Sequence, residues 1–245
     1  MRFCATYSDS HRLFLDNFFL KTFPFEPNVS LSLERMPQKC GGGLFSDGWR
    51  DQMIEKQKFI NKTLQTFFDN EIIVFCDVDM AFYGELADDL RECLGDNDIA
   101  FMKDHNNSEE FGRCGGFFVA RSNEKTRELF NEVLKRLRSF SNEQSTDFNT
   151  SEQHTINSVL KSLPDIKWAY LPQRYYTHGL YTDGIDNFSE KDQSGLWWQN
   201  KNREEKNNIF IPTDIKVHHA NWAVGIDNKI ELLDFVYKRV EEKAW

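Results

Sequence analysis

Apolar residues recur along this chain in two alternating rhythms: short continuous or every-other-residue runs, and longer stretches at helical spacing. Phe3 to Tyr7 is a short apolar run that predicts a first strand. The polar residues Thr6 to Ser10 follow at its carboxyl end, and Ser10 is placed to cap a helix from His11 to about Leu20. Pro24 and Pro27 end that element, and Val29 to Leu33 alternates as a second strand. Strand, helix, strand predicts a parallel pair with a right-handed crossover. Met53, Ile54, Phe59, Ile60, Leu64, Phe67 and Phe68 then mark a helix from Asp51 to Phe68. The continuous run Ile72 to Cys76 is too short for a helix and rich in β-branched residues, so it reads as a strand buried on both faces, as inside a parallel sheet.

Further along, Gly84 to Leu94 is an amphipathic helix and Ile99 to Met102 a strand. Gly115 to Ala120 is a strand that opens on two glycines, a sign of close backbone approach or a bulge. Ser122 is expected to cap a helix through Leu137. Thr150, three residues before Gln153, suggests a capping box for a helix through Leu160, which gives Gln153 an ordinary structural role. Trp168 to Leu171 and Ile215 to Val217 read as strands, and Asn228 to Glu241 as a closing helix. Between them, Pro172 to Asn208 is a long loop region bearing Tyr175, Tyr176, Tyr181, Trp197 and Trp198, the kind that forms lids or binding loops. No internal repeat or second apolar core interrupts the pattern. The expectation is one α/β domain over residues 1–245, with a Rossmann-like mixed, mostly parallel central sheet flanked by helices.

Composition narrows the function. The net charge of −9 argues against a nucleic-acid partner or an anionic membrane surface. No apolar run is long enough to span a bilayer, and the N-terminus lacks a basic-then-apolar leader. The five cysteines are scattered without a Cys-x-x-Cys pair, which fits reduced thiols and a cytoplasmic location. The glycines at 41–43 are not followed by Gly-Lys-Ser/Thr, so they are not a phosphate loop.

The chemistry concentrates after the Ile72 strand. Asp77 and Asp79 sit at its carboxyl end, the edge of an open α/β sheet where ligands bind. Residues i and i+2 leave an extended chain on one side, so both carboxylates can face one hard cation and leave positions free for phosphates. Acidic chains also produce Asp-x-Asp by chance, and Asp96-Asn97-Asp98, which follows Gly95, reads as a turn. Tyr7 is a candidate to stack on a base, with ordinary packing as the equal alternative. Lys56 and Lys58 lie on the helix before the Asp77 strand, where most lysines are solvated.

Asp77-Val78-Asp79 after an apolar strand resembles the Asp-x-Asp signature of glycosyltransferases with the GT-A fold. Gly115-Gly116-Phe117-Phe118 resembles the Asn-x-Gly-Phe-Phe segment of the nucleotide-diphospho-sugar transferases, and Glu152-Gln153-His154 their Asp-Gln-Asp helix start. His219-Ala220-Asn221-Trp222, with Gly225 and Lys229 behind it, resembles their C-terminal metal and phosphate motif. All four occur in the family's order. The resemblance implies a nucleoside diphosphate sugar donor, commonly UDP-linked, a glycan or other hydroxyl acceptor, and Mn²⁺ or Mg²⁺. It implies a nucleotide-binding half over about residues 1–100 and an acceptor-side half over about 101–245. It places Asp79 and His219 on the metal, with Asp77 on metal or ribose, and an imidazole beside carboxylates favours Mn²⁺. His218 is the alternative ligand, because neighbours in a strand point to opposite faces. Thr6, Tyr7 and Asp9 fall at the nucleoside end. Lys58, Gly225 and Lys229 fall at the donor, and Gly115, Gly116 and His154 at the sugar or acceptor. Glu152 and Gln153 fall at the reaction centre. Two positions depart from the family: Cys114 replaces the Asn, and His154 the second Asp.

The expected reaction is transfer of a sugar to a hydroxyl with retention of configuration. Gln153 would lie near the anomeric carbon, and Glu152 would orient sugar or acceptor; an inverting enzyme would use Glu152 as base. A haloacid-dehalogenase-like phosphatase is a rival, with Asp77 as nucleophile and Asp79 as general acid. A module that binds a sugar nucleotide without turnover is a third reading.

Overall fold

The computed structural model describes residues 1–41, 47–104, 112–140, 148–178, 211–221 and 225–243. The Pro172 to Asn208 region enters it only through residue 178, so Tyr181, Trp197 and Trp198 lie outside the described residues, as do His105 and Trp222.

Six strands form the central sheet: β1 (Arg2–Tyr7), β2 (Ser30–Arg35), β3 (Ile72–Cys76), β5 (Ile99–Lys103), β6 (Arg113–Arg121) and β7 (Trp168–Tyr170), in the order β2-β1-β3-β6-β5-β7. β1 runs parallel to both β2 and β3, and β5 to β7, while β6 runs antiparallel to β3 and β5. The sheet is therefore mixed and mostly parallel, and β3 itself has one parallel and one antiparallel neighbour. A second sheet of three strands joins β4 (Met80–Phe82), β9 (Val217–Asn221) and β8 (Tyr175–His178), with β9 in the middle.

The continuous apolar runs are explained by two cores, one on each face of the central sheet. Val74 and Cys76 of β3 and Phe3 and Ala5 of β1 enter one core with Leu90 and Leu94 of the helix Ala87–Leu94. Ile73 and Phe75, with Cys4, enter the other, against Ile60 and Leu64 of the helix Trp49–Thr66 and Phe130 and Val133 of the helix Glu124–Ser139. Each Val, Leu, Ile or Phe among them, fully removed from water, contributes about 1.5–3 kcal/mol. A third cluster packs Leu232, Leu233 and Val236 of the helix Ile226–Glu241 against Ala81 of β4 and Ala220 of β9.

The structure departs from the sequence pattern in the small sheet and at helix starts: β4 is unexpected, β8 lies inside the expected Pro172 to Asn208 loop, and β9 runs Val217–Asn221 rather than Ile215 to Val217. The segment 9–22 is helical, but its first turn is 3₁₀ from Asp9, and Ser10 lies inside it rather than capping it. Ser122 is not a cap: its hydroxyl donates to Leu64 O at 2.8 Å. Asn123 caps the following helix in a capping box with Thr126. The helix Glu152–Ser162 is capped by Ser151, whose hydroxyl accepts from His154 N at 3.2 Å. The cap thus sits at Ser151, one residue past the expected Thr150. All five cysteines are free thiols. Among the described residues, no helix is long and apolar enough to cross a membrane.

Candidate active site

The cleft opens at the carboxyl ends of β1 and β3. Thr6, Tyr7 and Ser8 line one end, Asp77 and Asp79 the floor, and Gly115, Gly116, Glu152, Gln153, His219 and Lys229 the other walls. The chain turns out of β3 at Asp77, whose N–H donates to Gly116 O at 2.8 Å. Met80, one residue past Asp79, begins β4 and pairs with His219 of β9 in antiparallel register. That pairing carries a histidine from the far end of the chain to the carboxylates: Nε2 of His219 lies 3.2 Å from Asp79 Oδ1 and 3.8 Å from Asp77 Oδ2. Ligand atoms of Asp77, Asp79 and His219 all fall within 4.8 Å of one another.

This donor set suits a divalent cation. Two hard carboxylates and one imidazole match Mn²⁺ and related ions. Gly116 keeps the cradle open: a Cβ there would land on His219 Cε1 and lie 2.7 Å from Asp77 Oδ2. His218, fully buried beside it, is outside the cluster because the strand turns it to the opposite face.

Two lysines complete the electrostatics. Lys56 Nζ, buried, sits 2.7 Å from Asp77 Oδ1 and 3.1 Å from Glu152 Oε2, and donates to Gly115 O at 3.1 Å. Lys229 Nζ donates to Asp79 Oδ2. Burial opposes the charge on Asp79, but Lys229 and then His219 outweigh it and hold its pKa well below the usual range. Burial likewise opposes charge on Lys56, yet Asp77 and Glu152 raise its pKa. His219 follows the same logic: against burial, Asp79 and a hydrogen bond to Cys114 raise it to about 10. Glu152 is raised, chiefly by burial, with Lys56 opposing. Both its oxygens are engaged, Oε1 by Gln57 Nε2 and Oε2 by Lys56. Gln153, the next residue, lines the cleft and donates from Nε2 to the buried Asp104 Oδ2 at 2.5 Å.

Several expected positions are not brought to the cleft. Lys58 points away, with Nζ 2.6 Å from Glu55. Lys56 takes its place, and its spacing carried the signal: it lies three residues after Met53 and three and four before Phe59 and Ile60, on the apolar stripe. Asp9 is exposed and bound by both ends of the Arg35 guanidinium, at 2.9 and 2.7 Å. His154 is outside the lining, and its N–H serves the Ser151 cap. Gly225 lies behind the cleft as the N-cap of the last helix, at φ 91°, and its carbonyl accepts from Lys229 N. That left-handed backbone favours glycine and starts the turn that presents Lys229. Asp98, of the Asp96-Asn97-Asp98 turn, accepts from Lys167 N and Asn123 Nδ2 at 2.8 Å each and lines no part of the cleft.

A family model described as nucleotide-diphospho-sugar transferase matches residues 46–233, well over half of the chain. Among solved structures, the fold is similar to the glycosyltransferase GlyE of Streptococcus pneumoniae TIGR4, with TM-score 0.54 and 11% identity over 98% of this chain and 64% of that one. It is also similar to the galactosyltransferase LgtC in complex with donor and acceptor sugar analogs, with TM-score 0.51 and 12% identity over 96% of each chain. The chain thus spans somewhat less than two thirds of the GlyE chain and nearly the whole of LgtC. No curated protein matches the sequence.

Proposed function

Since the chain belongs to the nucleotide-diphospho-sugar transferase family, we propose that it moves a sugar from a UDP-linked donor to a hydroxyl of a glycan or other acceptor, with a divalent cation, Mn²⁺ before Mg²⁺, and with retention of configuration. The observation that carries this reading is the convergence of Asp77, Asp79 and His219 on one point beside Lys229. Asp77, Asp79 and His219 would hold the cation. When bound, it supplies positive charge where the departing diphosphate becomes more negative.

The chain's own residues do the rest. Thr6 and Tyr7 receive the nucleoside at the β1 end of the cleft, within an N-terminal half of about residues 1–100 that takes the nucleotide. Residues from about 101 onward form the acceptor side of the same single domain. Lys229 leaves Asp79 for the diphosphate, a fixed cation at the leaving group. Lys56 faces the sugar from the opposite wall, held there by Asp77 and Glu152. Gly115 and Gly116 let the sugar approach the strand.

Retention is favoured by what surrounds the two candidate reaction-centre residues. A general base needs a carboxylate oxygen turned to the acceptor, and each Glu152 oxygen is instead turned to a partner, Lys56 or Gln57. Glu152 then orients Lys56, and Gln153 presents an amide near the anomeric carbon. The acceptor proton passes to the departing phosphate on the same face.

The test is turnover. With Mn²⁺ and a panel of UDP-sugars and hydroxyl acceptors, the protein should release UDP and form a glycoside; NMR read before mutarotation should show the donor's anomer kept. UDP binding without turnover on any acceptor would leave a silent sugar-nucleotide module instead. The family match takes away the support for the phosphatase alternative.

A further inference from the structure

Cys114 stands where the resembling families carry Asn, and nothing in the reaction sketched above uses it. The residue is 1% exposed, and its sulfur meets three nitrogens. Gly116 N donates to it at 3.3 Å, Asn221 Nδ2 at 3.8 Å, and His219 Nδ1 lies 3.7 Å away. His219 and Asn221 are residues i and i+2 of β9 and so share a face. Gly116, two residues beyond Cys114 on β6, lacks the Cβ that would push the ring away. The imidazole therefore stands between two contacts: Nε2 towards Asp77 and Asp79, Nδ1 towards sulfur.

We propose that Cys114 is a positioning residue for His219, its Sγ accepting the Nδ1–H so that the Nε2 lone pair is aimed at the cation. The proposal rests on the reading that Asp77, Asp79 and His219 bind a divalent metal. A neutral imidazole carries one proton. Ligation through Nε2 places it on Nδ1, and a ring buried to 3% exposure needs an acceptor there. The acceptor facing Nδ1 is Cys114 Sγ. Metal-bound histidines usually give that proton to a carboxylate, a backbone carbonyl or water. A thiol is a weaker acceptor, so it fixes the ring's direction while adding little to its basicity.

The experiment measures binding of Mn²⁺ alone, without donor, by electron paramagnetic resonance of the free ion, on the wild type and on H219A, C114A and C114S. Removing an outer partner of a metal ligand typically lowers affinity about 10- to 100-fold. C114A should show a loss of that order, and C114S, which keeps an acceptor, a smaller one. Unchanged affinity in H219A would overturn the metal reading and the proposal with it. A weakened H219A beside an unchanged C114A would overturn the Cys114 proposal alone. A second readout needs no variant: ¹⁵N histidine spectra of the wild type loaded with diamagnetic Zn²⁺ should show His219 protonated at Nδ1 and metal-bound at Nε2. A proton on Nε2, or metal on Nδ1, would sink the assignment even if C114A failed to fold.

Discussion

At the scale of single residues, the site is a balance of charges in a confined space. His219 is the most informative member. Its pKa is raised to about 10 from an ordinary 6.5, so the folded metal-free protein favours the protonated ring. Stability from that proton is full below about pH 6.5 and fades as pH rises through about 10. A metal must displace the same proton from Nε2, so Mn²⁺ affinity should climb with pH between those limits, approaching about tenfold per unit for one proton released. Calorimetric titrations from pH 6.5 to 9 check this, and H219A should bind weakly with a flatter slope; H218A should bind almost as the wild type. An H218A loss larger than that of H219A would reassign the ligand. Lys56 and Lys58 make a second contrast. Lys56→Met strips a buried partner from Asp77 and Glu152 and should lower kcat/KM about 100-fold or more. Lys58→Met touches only a half-exposed pair with Glu55 and should change kcat/KM less than about twofold. Equal losses would mean that the buried pairing has no part in transfer. Glu152→Gln should slow turnover but leave it measurable with the anomer unchanged, as suits an orienting group. An inactive variant and an inverted wild-type product would make Glu152 the base.

At the scale of elements, the site is assembled from ends. β3 ends at Asp77, β6 brings Gly115 and Gly116 alongside it, β9 brings His219, and two helix starts bring Glu152 and Lys229. Edges and caps thus matter more than element interiors. Ser151 is the clearest case, since its hydroxyl fixes the first turn that carries Glu152 and Gln153. Ser151→Ala should destabilise by about 1 kcal/mol, seen as an earlier urea midpoint, and should also lower kcat beyond what that loss explains. A stability loss with unaltered kcat would show that the helix start holds its geometry without the cap. These junctions were also the least legible part of the sequence. Apolar spacing located the helices and the six strands of the central sheet, because burial on a sheet face or helix stripe imposes a period; it passed over the short strands β4 and β8 and marked only the first residue of β9. A cap is one hydrogen bond, and Ser122 and Thr150 are each followed by the residue that makes it, Asn123 and Ser151, while the turn at Ser10 starts at Ser8 without a side-chain cap. Which side chain closes a turn depends on backbone angles that no local pattern encodes.

At the scale of the whole molecule, the proposed reaction asks an acidic chain of net charge −9 to receive a polyanionic donor. Repulsion of the free diphosphate should make nucleotide binding depend on the metal: UDP alone should barely move the melting temperature, Mn²⁺ alone should raise it modestly, and the two together should raise it most. A full shift with UDP in excess EDTA would rule out a metal bridge. The small β4-β9-β8 sheet ties the residue after Asp79 to the strand bearing His219, and packs through Ala81 and Ala220 onto the last helix. The sequence alone determined the α/β class, the strand that ends in Asp77 and Asp79, the ordered motifs that resemble the family, and His219 as the candidate third ligand. These are properties of short segments, where burial period and local chemistry are written in consecutive residues. Only the tertiary structure decided that Lys56 and not Lys58 faces the cleft, that Asp9 and His154 stay out of it, that both oxygens of Glu152 are taken, and that Cys114 backs His219. Each of those depends on groups tens of residues apart, or on the angle at which one element meets another. Packing against the rest of the chain sets those angles, and no single segment contains them.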